Sequence, residues 1–229
     1  MKKDKSNGKK AKRHKSQSVL IQGLTLLPFV SLFFCSIVSS FLMLTGCSKP
    51  ILKMPKPLPS IVKQYKNIKV WAANPDMRNT WIHINEGEAF SILATGSINI
   101  GQGLGLKYDL DIKPEDGWFL RARIGMKSIF FSALSYGYSA STHKSYNSGY
   151  LYLGIRDGPM DIYGRSLSPK AYKDNRGFFS VDVIVWKKED YVQIADFFER
   201  MKEKVPSNKP IVDAANEANK LKEIYLKVE

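Results

Sequence analysis

The feature that most constrains the fold of this chain is a series of short strand-like segments that begins at Asn67. About eight apolar or alternating runs follow one another, and turn-forming residues such as Asn74-Pro75-Asp76 separate several of them. The runs are Asn67 to Ala73, Thr80 to Ile84, Ala89 to Ile100, Leu106 to Ile112, Trp118 to Ile124, Ser128 to Ala133, Tyr150 to Ile155 and Phe178 to Trp186. Their number and spacing predict an all-β fold, a jelly-roll-like antiparallel β-sandwich over residues 67–187.

The residues after Trp186 change to helical periodicity and predict a C-terminal helical extension over residues 188–229. Pro206 is expected to end the first helix, and Pro210 suits the first turn of a second. The second helix carries an apolar stripe at alternating steps of three and four, here called the C-terminal stripe: Ile211, Ala214, Ala218, Leu221, Tyr225 and Val228. We expect the stripe to pack on its own domain or on the preceding helix, with pairing to another protein as the alternative.

The first 46 residues have the pattern of a bacterial export signal. Eight Lys or Arg lie within residues 1–15, and residues 16–46 carry no charge and are mostly apolar. The run ends in Leu44-Thr45-Gly46-Cys47, which resembles the lipobox of bacterial lipoproteins. The resemblance implies cleavage before Cys47 and attachment of lipid to its sulfur. An uncleaved membrane anchor is the alternative, because the run is long enough to span a bilayer.

Removal of this leader would take much of the positive charge with it. The whole chain carries a net charge of +14, whereas the exported part has 27 basic and 20 acidic residues and a net charge of +7. The basic character therefore belongs largely to targeting, and no nucleic-acid partner is predicted. Cys35 lies in the leader and Cys47 is the lipidation site, so the exported part has no disulfide.

Residues 47–66 are predicted to comprise the lipidated cysteine and an extended tether. This segment contains Pro50, Pro55, Pro57 and Pro59 with interspersed lysines, a composition that favours extended chain. Ser48 follows the lipid cysteine, in place of the Asp that typically retains lipoproteins in the inner membrane. The resemblance therefore favours a lipid-anchored protein of the cell envelope, on the outer membrane.

No catalytic motif is evident, and the exported part is predicted not to be an enzyme. His83 is expected in a strand and His143 in a polar loop, and neither has a Cys or second His at ligand spacing. The segment Gly101-Gln102-Gly103-Leu104-Gly105 lacks the Lys-Ser/Thr ending of a phosphate-binding loop and is interpreted as a flexible turn.

One group of polar residues does suggest chemistry. Asp157 ends the strand that begins at Tyr150, and Asp174 and Asn175 open the next strand. Carboxylate and amide oxygens brought together by strand-connecting loops are suitable ligands for calcium. The alternative interpretation is that Asp174 and Asn175 form a turn by bonding nearby backbone N–H groups.

The order of several short motifs resembles the PA-I galactophilic lectin family over roughly Val70 to Val185. The motifs are Trp81-Ile82-His83-Ile84, Glu86-Gly87-Glu88, Phe90 to Gly96, Leu120 to Gly125, Gly149 to Asp157, and Asp174-Asn175 with Gly177 to Val181. The resemblance implies a small jelly-roll sandwich that binds one calcium ion near its loop ends, with sugar hydroxyls completing the coordination.

Carried over residue by residue, the resemblance makes Asp157 the acidic calcium ligand and gives Asp174 and Asn175 the paired side-chain oxygens. Ile100 would offer its backbone carbonyl. The loop between Asp157 and Asp174 looks longer than in the galactose-binding members. The family's His and Gln contacts to sugar have no counterpart between residues 102 and 118, so sugar specificity does not transfer.

Two functions follow from the sequence. The first is a membrane-tethered, non-catalytic carbohydrate-binding module that uses calcium. Its ligand-binding residues would be Asp157, Asp174 and two loop tyrosines, Tyr163 and Tyr172. The rings of these two, and of the strand tyrosines Tyr150 and Tyr152, could stack on sugars, with ordinary half-buried sheet positions as the alternative. The alternative is a structural or assembly subunit of a cell-envelope complex, which would bind envelope proteins through the C-terminal helices.

Overall fold

A computed structural model describes residues 49–101 and 109–227 of the chain. The signal peptide predicted over residues 1–46 and the lipidation site Cys47 lie outside the described residues. Ser48–Glu229 forms one compact unit. Within the described residues, no helix is both long enough and apolar enough to cross a membrane.

Nine strands in the described residues form two antiparallel sheets. They are β1 (Val62–Trp71), β2 (Arg78–Ile84), β3 (Ala89–Ile100), β4 (Leu110–Ile112), β5 (Leu120–Ile124), β6 (Phe131–Ser132), β7 (Ala140–Lys144), β8 (Gly149–Ile155) and β9 (Arg176–Trp186). The first sheet has the order β1-β9-β3-β4, with β7 also pairing with β3, and the second has the order β2-β8-β5-β6. The predicted antiparallel β-sandwich is confirmed.

The main core lies between the two sheets and follows from alternation along the strands. In β2, Ile82 and Ile84 are fully buried, whereas Trp81 and His83 face outward. Strand β9 is buried on both faces, because Val181, Val183 and Val185 enter the core between the sheets while its other side is covered by helices. This double burial explains why β9 is almost continuously apolar.

Two helices cover the outer face of the first sheet: α1 (Tyr191–Lys204) and α2 (Lys209–Leu226). The Asp190 side chain caps α1 by accepting from the Gln193 N–H at 3.0 Å. Ile211, Ala214 and Ala218 of the C-terminal stripe are buried in a second core with α1 and the sheet, and Leu221 and Tyr225 pack against it. The stripe therefore packs within the chain over these positions, and Val228 lies outside the described residues.

The segment before β1 is not the free tether that its prolines predict. Leu52 is only 1% exposed and belongs to the second core. Its N–H donates to Asp182 Oδ2 at 2.7 Å, and its carbonyl accepts from the Tyr65 hydroxyl at 2.8 Å. Strand β1 already begins at Val62. The prediction of a tether that extends to residue 66 is therefore wrong, because the segment covers the polar and apolar groups that β9 exposes on its outer face.

Strand β7 is the element that the sequence pattern missed. His143 lies in this strand, not in a polar loop as predicted. Its Nε2 lies 3.0 Å from the Ala133 carbonyl oxygen, and its ring stacks on Phe90 at 5.3 Å between centroids. Burial lowers the pKa of His143, so the neutral form is favoured. These contacts make His143 a packing residue.

Candidate calcium and ligand-binding site

The structure brings Asp157, Asp174 and Asn175 together at one end of the sandwich. Asp157 follows β8 of the second sheet, and Asn175 directly precedes β9 of the first. The Asn175 side-chain N–H donates to Asp157 Oδ2 at 2.8 Å, which ties the two sheets together at this end. The convergence that the sequence predicted is thus present.

Asp157 is the most unusual group of this site. Its side chain is fully buried, and while Oδ2 accepts from Asn175, Oδ1 has no hydrogen-bond partner among the described residues. Burial raises the pKa of Asp157, the hydrogen bond from Asn175 opposes the rise, and the nearby charge of Asp174 adds to it. A buried acceptor without a partner lowers the stability of the fold, so a cation beside Oδ1 would remove this cost by pairing with the oxygen.

Asn175 holds three segments of the chain in place. Its Nδ2 donates to Asp157 and to the Ala72 carbonyl at 3.3 Å, and its Oδ1 accepts from the Gly101 N–H at 3.2 Å. In this orientation the amide nitrogen, not the oxygen, faces Asp157. A calcium ion at Asp157 would need the Asn175 amide to rotate and present its oxygen, since an amide N–H does not bind a cation.

Asp174 lies against the backbone at Gly101. A Cβ atom added to Gly101 would stand 2.4 Å from Asp174 Cγ and 2.5 Å from its Oδ2, so a larger residue there would require the Asp174 side chain to move. This close approach places a second carboxylate beside the end of β3. Unlike Asp157, Asp174 is exposed, so a ligand from solvent would reach the site from the Asp174 side.

Ile100 directly precedes Gly101, and its carbonyl belongs to the peptide whose N–H faces Asn175. The carbonyl points away from Asn175, because C=O and N–H are trans across a planar peptide. Ile100 as a calcium ligand therefore stays a prediction. Within residues 49–101 and 109–227, no three or more His, Cys, Asp or Glu side chains group in a way that could hold a metal. A calcium site here would depend on amide and carbonyl oxygens beside the two carboxylates.

The two loop tyrosines do not share one role. Tyr172 is only 1% exposed, and its hydroxyl accepts from the Asp157 N–H at 2.8 Å and donates to the Ile155 carbonyl at 3.2 Å. The prediction that Tyr172 stacks on sugar is wrong, because its ring is buried beneath the loop. The Tyr172 hydroxyl instead positions the backbone at Asp157 through these two hydrogen bonds. Nothing in the sequence distinguishes this tyrosine from an exposed one in a polar loop.

Tyr163 is partly exposed on the same long loop. Its carbonyl accepts a hydrogen bond from the Arg123 guanidinium, and the Arg165 guanidinium lies 5.6 Å from its ring centroid. Asp161 accepts from the Tyr163 N–H and from the Arg165 side chain, which closes the loop into a compact turn. The structure therefore places Tyr163 on the outer face of the second sheet, in contact with Arg123. Its stacking on sugar stays a prediction.

No protein-family model matches the chain, and no curated protein sequence matches it. Among solved structures, the chain is similar to the EclA N-terminal domain, described as a PllA-like lectin, at 25% identity and a TM-score of 0.37, covering 52% of this chain and 94% of that one. It is also similar to a functionally unknown conserved protein mutant from Bacillus anthracis str. Ames, at 13% identity and a TM-score of 0.29, covering 62% of this chain and 27% of that one. Neither likeness assigns a ligand or a metal to this chain.

Proposed function

We propose that this protein is a lipid-anchored cell-envelope protein whose sandwich is a non-catalytic carbohydrate-binding domain with a calcium ion at Asp157, Asp174 and Asn175. The observation that carries the proposal is Asp157 Oδ1, a buried carboxylate oxygen with no hydrogen-bond partner in the described part of the chain, located where a second carboxylate and an amide converge.

Calcium fits the chemistry of these groups. It takes about six to eight oxygen ligands, which carboxylates, amide and backbone carbonyls and water can supply. Asp157 and Asp174 would provide the charged oxygens, and Asn175 would provide a neutral one after rotation of its amide. The ion would neutralise Asp157, whose pKa is raised mainly by burial and further by the nearby charge of Asp174.

The sugar part of the proposal rests on the resemblance of the sequence motifs to galactophilic lectins and on access. Asp174 is the exposed member of the group, so ligand hydroxyls would complete the calcium coordination on its side. The long loop after Asp157 limits access from the other side, because it buries Tyr172 against the Asp157 backbone.

The lipid anchor rests on Leu44-Thr45-Gly46-Cys47 and the apolar run before it. Leu52 is buried in the domain, and four residues separate it from Cys47, so the five Cα-to-Cα steps span about 18 Å of fully extended chain. We therefore expect the anchor to hold the domain near a bilayer, in place of the long stalk that the prolines suggest.

Calcium binding is tested by calorimetry on a fragment of residues 48–229, which contains the whole compact unit. We expect saturable binding by the wild type and by Asp196→Ala, an exposed acid on α1 that serves as the control. The Asp157→Ala/Asp174→Ala double variant should not bind. A folded wild-type fragment that takes up no calcium would contradict the metal site. A glycan screen in calcium and in chelator then tests whether sugar binding depends on the ion.

Lipidation is tested separately by feeding cells a labelled palmitate analogue. Cys47→Ser should remain unlabelled, whereas Cys35→Ser in the leader should be labelled like the wild type. Labelling of the Cys47→Ser chain would contradict the assigned site. A lipidated, folded protein that binds neither calcium nor glycan would favour the alternative, an assembly subunit for envelope proteins.

A further inference from the structure

The outer face of the second sheet carries an exposed group of aromatic side chains, here called the aromatic ledge: Trp81, His83 and Tyr150. Trp81 is 68% exposed and Tyr150 is 42% exposed. The Tyr150 ring centroid lies 5.9 Å from that of Trp81 and 5.4 Å from that of His83, both in edge-to-face arrangements. These contacts hold the rings in a defined arrangement on the surface.

Trp81 is held in a backbone conformation that costs energy. Its φ is +60°, in the left-handed region, and the pairing of β2 with β8 shifts register between Asn79 and His83. The Asn79 Oδ1 accepts from the Trp81 N–H at 2.8 Å, and the Thr80 hydroxyl donates to the Leu151 carbonyl at 2.8 Å. β-bulges of this kind redirect a side chain. Strained backbone conformations persist only where the surrounding structure holds them, and they cluster at functional sites.

Beside the ledge lies an arginine that forms no ion pair with any described residue. Arg123 stands opposite Tyr152 in the pairing of β5 with β8, and its guanidinium lies 4.7 Å from the Tyr152 ring centroid. Tyr152 and Tyr150 share one face of β8. Arg123 is 8% exposed; its Nη1 donates to the Tyr163 carbonyl, and its Nε has no hydrogen-bond partner among the described residues.

Two acids among the described residues, Asp76 and Asp161, act on the charge of Arg123, and neither forms an ion pair with it. Asp161, whose charge acts on Arg123, forms its ion pair with Arg165 at 2.6 Å. Arg121 lies two residues before Arg123 on the same face of β5, is 6% exposed, and also has an unpartnered Nε. The internal segment of residues 102–108, which the structure does not describe, contains no acidic residue. This face thus presents two nearly buried cations that an anionic ligand would stabilise.

We propose that the aromatic ledge and Arg123 form a second binding surface, for a carboxylated saccharide. The apolar faces of sugar rings would stack on Trp81 and Tyr150, and a carboxylate of the sugar would pair with the Arg123 guanidinium. The proposal rests on the proposed carbohydrate-binding function but not on its calcium ion.

The size of the ledge favours a sugar over a protein partner. Three partly exposed side chains offer about 300 Å², well below the roughly 800 Å² per partner of a stable protein interface. The same area suits one or two sugar rings. Aromatic faces bordered by hydrogen-bonding edges match a ligand that has apolar ring faces and polar hydroxyls.

The test uses the full-length protein in detergent with chelator present, so that a calcium site cannot contribute. The probes are a galacturonic acid trisaccharide and the galactose trisaccharide of the same linkage. We expect the acidic probe to bind more tightly, with an affinity that falls as salt is raised. Trp81→Gly should weaken both probes by about tenfold, because it removes the ring and suits a left-handed backbone.

Arg123→Gln should remove about a tenfold preference for the acidic probe and leave the neutral probe unchanged. Trp118→Gly is the matched control, because Trp118 is 61% exposed and lies outside the ledge. Thermal unfolding checks that each variant is folded. Tyr150→Ala replaces Trp81→Gly if that variant is unfolded, and the salt dependence of the acidic probe tests the charge contact if Arg123→Gln is unfolded. Equal losses in Trp81→Gly and Trp118→Gly, or no binding of either probe, would overturn the proposal. Either result would refute the ledge. If calcium-dependent glycan binding nevertheless survived in Trp81→Gly, the proposed function would still stand.

Discussion

Replacing Asp157 by Asn should have opposite effects on stability in the absence and in the presence of calcium. Without the ion, the buried carboxylate keeps one oxygen unpaired, and burial raises its pKa. Asparagine has the same shape, removes the charge and still offers an oxygen to the Asn175 N–H. With the ion, the variant would lose the charged ligand on which the proposed site depends. The Asp157→Asn protein should therefore be more stable in chelator and less stable in calcium than the wild type.

The size of each effect follows from the burial of the group. A buried, unsatisfied polar group costs about 1–3 kcal/mol, and asparagine relieves only part of that cost because its own N–H₂ also needs a partner. We expect a gain of about 1 kcal/mol in chelator, or about 2–4 °C in Tm. Calcium at a hundred times its Kd should stabilise the wild type by about 2.7 kcal/mol and the variant by almost nothing.

Thermal unfolding followed by circular dichroism, in chelator and in calcium, measures both effects. Asp196→Asn is the control, since Asp196 is an exposed acid on α1. The pH dependence gives a further check. A carboxyl whose folded pKa is raised contributes stability that is present below its ordinary pKa of 3.8 and is lost as the pH rises through the folded value. In chelator, the advantage of the variant should therefore grow as the pH rises through this window.

Two results would refute the reasoning. A variant that is less stable than the wild type in chelator would show that Oδ1 is satisfied in solution. Equal stabilisation of the variant and the wild type by calcium would show that Asp157 is not a ligand. Magnesium in place of calcium should leave both melting temperatures nearly unchanged, because its strict octahedral geometry and reluctant dehydration suit this mixed set of ligands poorly.

Three further predictions test other parts of the structure. In denaturant titrations, Leu52→Ala should lower the free energy of unfolding by about 2–5 kcal/mol, as expected for a core leucine. Leu58→Ala, at a position that is 37% exposed, should change it by about 0.5 kcal/mol. Equal small effects would mean that the N-terminal segment does not pack on the domain. Burial raises the pKa of Glu217 from 4.5 to about 7, so Glu217 contributes about 3 kcal/mol to the free energy of unfolding below pH 4.5, and this contribution is lost as the pH rises through 7. Glu217→Gln should flatten this part of the plot of stability against pH. An unchanged slope would contradict the raised pKa. Trp81→Gly should be more stable to heat than Trp81→Ala by about 1 kcal/mol, because alanine keeps the cost of φ +60°; the reverse order would show that the left-handed backbone does not persist.

The strands were predictable where an apolar or alternating run packs against a core. Strand β3 matches its predicted range, because turn residues precede it and every position from Ala89 to Ala94 is buried. Strand β7 was missed because its Ser and Thr residues make polar contacts and form no apolar pattern: the Thr142 hydroxyl hydrogen-bonds with Ser91 Oγ at 2.7 Å. The Ser141 hydroxyl and the Thr142 N–H both donate to Glu217 of α2. A strand stabilised by a helix far along the chain leaves no periodic pattern of its own.

The docking of the N-terminal segment and the details of the site depend on contacts over long sequence distances. The Leu52 N–H donates a hydrogen bond to Asp182, which lies 130 positions further along the chain, and the proline content of the segment does not predict this hydrogen bond. The convergence of Asp157 with Asn175 could be predicted from their places at strand ends. The unpaired Oδ1 and the contact of Asp174 with Gly101 could not, because they depend on atomic packing.

The two faces of the sandwich differ in a way that bears on how such a protein would work. The outer face of the first sheet is covered by α1, α2 and the segment that contains Leu52. The outer face of the second sheet carries the aromatic ledge and Arg123, and Asp174 lies at the end where the sheets meet. Because the anchor proposed at Cys47 joins the chain next to Leu52, it would tether the domain by its covered face. The surfaces proposed to bind ligand lie elsewhere, so anchoring and ligand binding would not compete for the same part of the domain.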